Sequence, residues 1–169
     1  MLFRSQPIEK LRMQFGAVAT DLKTGQPILF RRGNTGAAVR ASSAVPGVFQ
    51  PVRVGNVDYV DGGLVSPVPV SFARKMGADF VIAVNISAQP DAQPASSTFD
   101  VLLQTFAIMG QSLNHYELKQ ADIVIRPELA SMKGSDFNGR GPAIIAGEKA
   151  AMALIAEIRQ RIKAKREKF

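Results

Sequence analysis

Residues 79–86 constrain the fold more than any other part of this 169-residue chain. Their sequence, DFVIAVNI, is an almost unbroken apolar run of strand length, a pattern typical of a strand covered on both faces. Residues 69–76 before it and 99–121 after it carry helical patterns, the first ending at a glycine. A short strand at 122–126 and a last helix beginning at Pro142 follow. This alternation predicts the α/β class with a partly parallel sheet.

The first sixty residues carry a different pattern, that of two β-hairpins. Residues 13–30 read as a buried strand, the turn KTGQ and a return strand, and residues 52–60 repeat this arrangement around Gly-Asn. Between the hairpins, Asn34 or Thr35 can cap a short helix that ends before Pro-Gly. The second hairpin ends at Asp61-Gly62-Gly63, a polar and flexible sequence directly after a strand.

Composition excludes several classes of chemistry. The chain contains no cysteine, which rules out disulfides, thiolate catalysis and cysteine-ligated metal sites. It contains one histidine, His115, so a mechanism that needs two imidazoles is excluded. No apolar run approaches the roughly 18 residues of a membrane-spanning helix. No phosphate-binding glycine loop occurs, and no His, Asp or Glu cluster has metal-ligand spacing.

The net charge of +7 is unevenly distributed along the chain. Residues 159–169 hold six basic side chains and one acid. This segment is either a solvated helix end, where cations suit the helix dipole, or a contact for an anionic membrane or nucleic acid. No aromatic residues interleave with the charges as a stacking surface requires, so we expect no nucleic-acid partner. Residues 87–98, SAQPDAQPASST, read as a flexible loop.

One stretch carries a family resemblance. Residues 40–85 contain RASSAVPGVFQPV, a hairpin, VDGGLVSPVPV, a helix and GADFVIAVN, preceded by FGAVATDLKTGQPILF. In this order and spacing they resemble the C-terminal half of the catalytic domain of patatin-like phospholipases, the serine lipid acyl hydrolases. The resemblance covers residues 7–86 well and is loose afterwards. It implies a partial patatin-like three-layer sandwich with a mixed, partly parallel sheet, formed by residues 1–169 as a single domain.

The resemblance also implies a site. Asp61 matches the aspartate of the family's Ser–Asp dyad, and Gly62 and Gly63 shape the turn beside it by taking backbone angles that other residues avoid and by leaving space for the nucleophile turn. The implied substrate is a lipid or another ester, and the dyad needs no metal or organic cofactor. The alternative for Asp61 is that it only closes a hairpin through its own hydrogen bonds.

The family's nucleophile is absent, because no G-x-S-x-G occurs in the sequence. Ser42, Ser43 and Ser66 lack the flanking glycines, and His115 lies on a polar-sided helix. We therefore expect the isolated chain to be inactive and to expose sheet edges and apolar surface to a complementing chain or a homo-oligomer. Two hypotheses remain, part of a lipid acyl hydrolase or an inactive truncated remnant that binds proteins or anionic membranes. In both, we expect a cytoplasmic protein that is peripheral at the membrane.

Overall fold

The N-terminal part of the chain folds as two hairpins that share one antiparallel sheet. The structure, a computed structural model, describes residues 6–87, 97–129 and 139–167. The sheet order is β2-β1-β4-β3. Its strands are β1 (Ala17–Asp21), β2 (Pro27–Phe30), β3 (Val52–Val54) and β4 (Val57–Asp61). Both predicted hairpins are confirmed, and the glycines of their turns, Gly25 and Gly55, have φ of 70° and 62°.

Helix α1 (Thr35–Ser42) covers one face of this sheet. Its predicted cap is confirmed, because the Asn34 side chain accepts a hydrogen bond from the Ala37 backbone N–H at 2.8 Å. Small side chains at the contact let helix and sheet approach closely. The core on this face consists of Ala19, Ala41, Ala44, Val52 and Tyr59.

The second half of the chain builds a two-stranded parallel sheet with helices on both faces. It contains α2 (Val70–Lys75), β5 (Ile82–Val84), α3 (Thr98–Glu117), β6 (Ile123–Ile125) and α4 (Arg140–Arg166). Val70 of α2 and Leu118, which follows α3, pack on one face, and Ile158 of α4 packs on the other. The α/β class is confirmed, with antiparallel and parallel pairing in two separate sheets of the described residues.

One prediction about β5 is wrong, because only one of its faces is covered. Ala83 is buried on the α2 side, but Ile82 and Val84 are 42% and 51% exposed. Their partners across the parallel ladder, Ile123 and Ile125, are buried beneath α4. Helix α4 therefore covers the β6 half of this face and leaves the β5 half open.

Two further predictions concern segments that the structure describes only in part. Most of the loop at 87–98 lies outside the described residues, so its flexibility stays a prediction. The basic segment at 159–169 is the end of α4 as far as Arg166. Among the helices that the structure describes, none is both long and apolar enough to cross a membrane.

Candidate active site

Asp61 is the last residue of β4, at the point where the strand turns away from the sheet. Its backbone N–H donates to the Ala44 carbonyl at 3.0 Å, and its own carbonyl accepts from the Thr20 hydroxyl at 2.8 Å. Ala44 follows α1, and Thr20 lies in β1. The backbone of Asp61 is therefore fixed from both sides, by the helix layer and by the neighbouring strand.

The Asp61 carboxylate is half-buried, and among the described hydrogen bonds one short contact orients it. Its Oδ1 accepts a hydrogen bond from the Gly63 backbone N–H at 2.6 Å. Burial raises the pKa of Asp61, and the Gly63 hydrogen bond opposes this only in part. Within the described ranges no Lys, Arg or His forms an ion pair with it. The result is a carboxylate with a fixed direction and an affinity for protons above that of a free aspartate.

Of the two predicted reasons for Gly62 and Gly63, unusual backbone angles and space at the turn, the geometry of the turn uses the second. Neither glycine has a positive φ, so their conformational freedom is not used. Gly62 instead passes so close to β1 that a Cβ there would lie 2.1 Å from the Val18 carbonyl oxygen. A Cβ at Gly63 would lie 2.9 Å from Oδ1 of Asp61. The two glycines therefore allow a close approach of the turn to the strand and to the carboxylate.

The other residues considered from the sequence do not join Asp61. Ser43 follows the last residue of α1, and its hydroxyl donates to the Val39 carbonyl of that helix at 2.9 Å, a local side-chain bond to the preceding turn. Ser66 is buried, and its hydroxyl lies 3.3 Å from Glu117 Oε1. His115 is exposed on α3, with its ring edge-on to Tyr116. Among the described hydrogen bonds, none links Ser42, Ser43 or Ser66 to the Asp61 carboxylate.

Glu117 is a structural residue whose role no pattern in the sequence indicates. Besides its contact with Ser66, its carboxylate accepts the Ser71 backbone N–H at 2.9 Å and the Ser71 hydroxyl at 2.8 Å. It thereby satisfies an N–H at the start of α2 from the end of α3. The Ser66 N–H in turn donates to the Gly62 carbonyl at 2.9 Å. Glu117 thus fixes the position of the segment that follows the Asp61 turn. It does so through a contact with Ser71, 46 residues away in the sequence, which no local pattern indicates.

The basic end of α4 is partly used inside the molecule. Lys165 contacts Oδ1 of Asp122 at 3.2 Å and also donates to the Asp79 carbonyl. Arg161 donates to the Asp122 carbonyl at 2.9 Å. Burial would raise the pKa of Asp122, but bonds from Val81 N–H, Arg74 and Lys165 outweigh it and lower that pKa overall. Arg159, Lys163 and Arg166 are exposed.

In the described part of the chain, no group of three or more His, Asp or Glu side chains is placed to hold a metal ion. What the candidate site offers is therefore one carboxylate, oriented by a tight turn at the end of a strand. Such a group can orient and accept the proton of a hydroxyl nucleophile brought to it.

Comparison with known families covers the part of the chain that holds this candidate site. Residues 7–74 match the patatin-like phospholipase family, a range that includes both hairpins, Asp61 and the two glycines. The match ends within α2, before residue 86, where the sequence resemblance was expected to end.

Individual relatives extend this similarity. An NTE family protein of Mycobacterium tuberculosis is 42% identical over 88 residues, which is 52% of this chain and 24% of the relative. Another NTE family protein of that organism is 29% identical over 90% of this chain and 30% of its own length. The mouse patatin-like phospholipase domain-containing protein 6 is 28% identical over 78% of this chain and 9% of its own. The chain thus spans less than a third of each of these relatives.

Proposed function

Because this chain belongs to the patatin-like phospholipase family, we propose that it is part of a serine lipid acyl hydrolase and supplies Asp61 as the aspartate of a Ser–Asp dyad. The observation that carries this proposal is the state of the Asp61 carboxylate. It is half-buried and oriented by Gly63, and its pKa is raised. A purely structural turn aspartate is usually exposed and gains nothing from partial burial of its charge.

The proposed reaction uses Asp61 as the proton carrier. The serine oxygen attacks the ester carbonyl while its proton passes to the Asp61 carboxylate. The proton then goes to the leaving alcohol as the carbonyl–oxygen bond breaks, which leaves an acyl-serine. Water attacks the acyl-serine, gives its proton through Asp61 to the serine oxygen, and the fatty acid is released. The serine must come from a G-x-S-x-G segment, which this sequence does not contain.

The experiment joins this chain behind a G-x-S-x-G-bearing segment of a patatin-like phospholipase and measures hydrolysis of p-nitrophenyl butyrate. We expect turnover in the joined protein, and a fall of about 10²–10⁴-fold in kcat for Asp61→Asn. Asp58→Asn is the matched control, because Asp58 lies on the same strand and its carboxylate forms an exposed ion pair with Arg53. Equal activity of Asp61→Asn and Asp58→Asn would contradict the proposal.

The second candidate function is binding of an anionic membrane without catalysis. The exposed Arg159, Lys163 and Arg166 support it, because they leave a basic surface at the end of α4. The internal contacts of Arg161 and Lys165 reduce the charge available to a partner. Salt-sensitive binding to phosphatidylserine vesicles, lost when Arg159, Lys163 and Arg166 are all replaced by Gln, is the result this candidate requires.

A further inference from the structure

Asp61 stands where the antiparallel-sheet part of the fold is joined to the parallel-sheet part. It ends β4, and the connecting segment, residues 62–71, then leads into α2. The first turn of this segment carries the Gly63 N–H that orients the Asp61 carboxylate at 2.6 Å. A movement of the connecting segment relative to β4 therefore also moves the group that directs the carboxylate.

The start of the connecting segment is tied to a distant helix. The Gly62 carbonyl accepts the N–H groups of Val65 and Ser66, at 3.1 and 2.9 Å, which closes the turn after Asp61. The Ser66 hydroxyl then lies 3.3 Å from Oε1 of Glu117, the last residue of α3. Ser66 is buried, so little water competes for this hydroxyl. The turn beside Asp61 is thus linked to Glu117 through a buried serine.

Glu117 also holds the far end of the connecting segment. Its carboxylate accepts the Ser71 N–H at 2.9 Å and the Ser71 hydroxyl at 2.8 Å. The Ser71 N–H belongs to the first turn of α2, where a helix supplies no acceptor of its own. One carboxylate with two acceptor oxygens therefore collects donors from both ends of the segment, whereas a side-chain amide offers a single acceptor oxygen.

The backbone that carries Glu117 is itself fixed by packing. The next residue, Leu118, is buried in the same apolar cluster as Val68 of the connecting segment. Two turns earlier on α3, a Cβ at Gly110 would lie 3.5 Å from Pro67, so the helix lies against the segment there as well. The contacts of the Glu117 side chain therefore extend from a backbone that is already held in place.

We propose that Glu117 is a positioning residue for Asp61: by holding the connecting segment at both ends, it sets the place and direction of the Asp61 carboxylate. The inference rests on the proposed function, in which this carboxylate carries the proton. A displacement of about 1 Å at a reacting group can lower a rate by about 10²-fold, so a residue that fixes the turn affects the reaction without touching the substrate.

The titration of Asp61 reports whether its carboxylate is in place. Burial raises its pKa, the Gly63 bond opposes this in part, and among the described residues no charged side chain contributes to the shift. If the turn loosens, water reaches the carboxylate and its pKa falls toward the ordinary value of about 3.9. A loss of global stability alone does not produce this change in molecules that remain folded.

The test follows the carboxyl carbon of Asp61 by NMR in the full chain as pH is varied, with its signal assigned by its loss in Asp61→Asn. We expect Glu117→Ala to lower the pKa of Asp61. Glu117→Gln should keep that pKa close to the wild-type value, because glutamine removes the charge but retains an acceptor oxygen. Glu148→Ala is the matched control, because Glu148 is exposed on α4, and it should leave the pKa of Asp61 unchanged.

The same variants are then compared in the chain joined to a G-x-S-x-G segment, by hydrolysis of p-nitrophenyl butyrate. Glu117→Ala should lower kcat by about 10–100-fold and change KM by less than about twofold, because the carboxylate is displaced while the rest of the site is kept. The acid limb of its pH–rate profile should move to lower pH, because Asp61 then loses its proton at lower pH.

Two results would overturn the inference. One is an unchanged pKa of Asp61 in Glu117→Ala, and the other is an equal shift in Glu117→Ala and Glu117→Gln, which would assign the effect to the lost charge. Circular dichroism checks that each variant is folded. If Glu117→Ala does not fold, Ser66→Ala decides, because it removes the hydroxyl that links the turn to Glu117. A lower pKa of Asp61 in Ser66→Ala supports the inference, and an unchanged one contradicts it.

Failure of this inference is separable from failure of the proposed function. Full hydrolysis in Asp61→Asn, together with a shifted Asp61 titration in Glu117→Ala, would remove the dyad and keep the positioning contact. A large loss of hydrolysis in Asp61→Asn, together with an unchanged titration and kcat in Glu117→Ala, would keep the dyad and remove the positioning role.

Discussion

Gly62 leaves no room for a side chain, so replacing it with alanine tests how closely the Asp61 turn is built against β1. The new Cβ would lie 2.1 Å from the Val18 carbonyl oxygen, whereas ordinary contacts begin at 3.4 Å, so turn and strand must separate by about 1.3 Å. The obstacle is backbone and cannot rotate away. Overpacking costs about 1–3 kcal/mol, and a backbone clash belongs at the upper end of this range. We therefore expect Gly62→Ala to lower the free energy of unfolding by about 3 kcal/mol.

Urea unfolding followed by circular dichroism measures this loss directly, and the melting temperature should fall by about 6–12 °C. Gly147→Ala is the matched control, because Gly147 lies within α4 and nothing stands within 4 Å of its Cβ position. That substitution should raise stability by up to about 1 kcal/mol through helix propensity. If Gly62→Ala costs less than about 0.5 kcal/mol, the close approach of the turn to β1 is not a constraint, and the argument for Gly62 fails.

Three further predictions concern charged side chains. Asp61→Asn should stabilise the chain at pH 7, because burial raises the pKa of Asp61 in the folded state. In the wild type, the stability that belongs to the neutral Asp61 carboxyl is present below its unfolded-state pKa and is lost as pH rises through its folded-state pKa. An asparagine is neutral at every pH, so the stability advantage of Asp61→Asn over the wild type should vanish in urea titrations at pH 3. Glu117→Ala should cost about 1–3 kcal/mol, since the Ser71 N–H loses its acceptor, and Glu117→Gln should recover part of this; equal losses would contradict the bracing role. Lys165→Ala should lower the melting temperature more than Arg159→Ala, because Lys165, unlike the exposed Arg159, contacts the Asp122 carboxylate; equal effects of the two substitutions would refute this.

Much of the fold follows from local sequence signals. The turn glycines and the Asn34 cap are local, and they place both hairpins and α1 correctly. Such features can be predicted because the residues that decide them are neighbours in the chain.

The predictions that failed or were missing depend on distant parts of the chain. An apolar strand such as β5 is the same sequence whether one face or two are covered, so the exposure of Ile82 was not predictable from its pattern. Glu117 and Ser71 meet across 46 residues, and nothing near either residue indicates the contact. For the candidate site, the sequence indicated Asp61 and its glycines, but only the structure gives the close approach that makes Gly62 necessary.

The role of Asp61 as a dyad aspartate is tested most directly by fluorophosphonate labelling of the chain joined to a G-x-S-x-G segment, read by intact mass. We expect one adduct on the elbow serine, formed at least about 100-fold more slowly in Asp61→Asn than in Asp58→Asn. Labelling at the same rate in both variants would contradict it, because the serine would then be activated without Asp61.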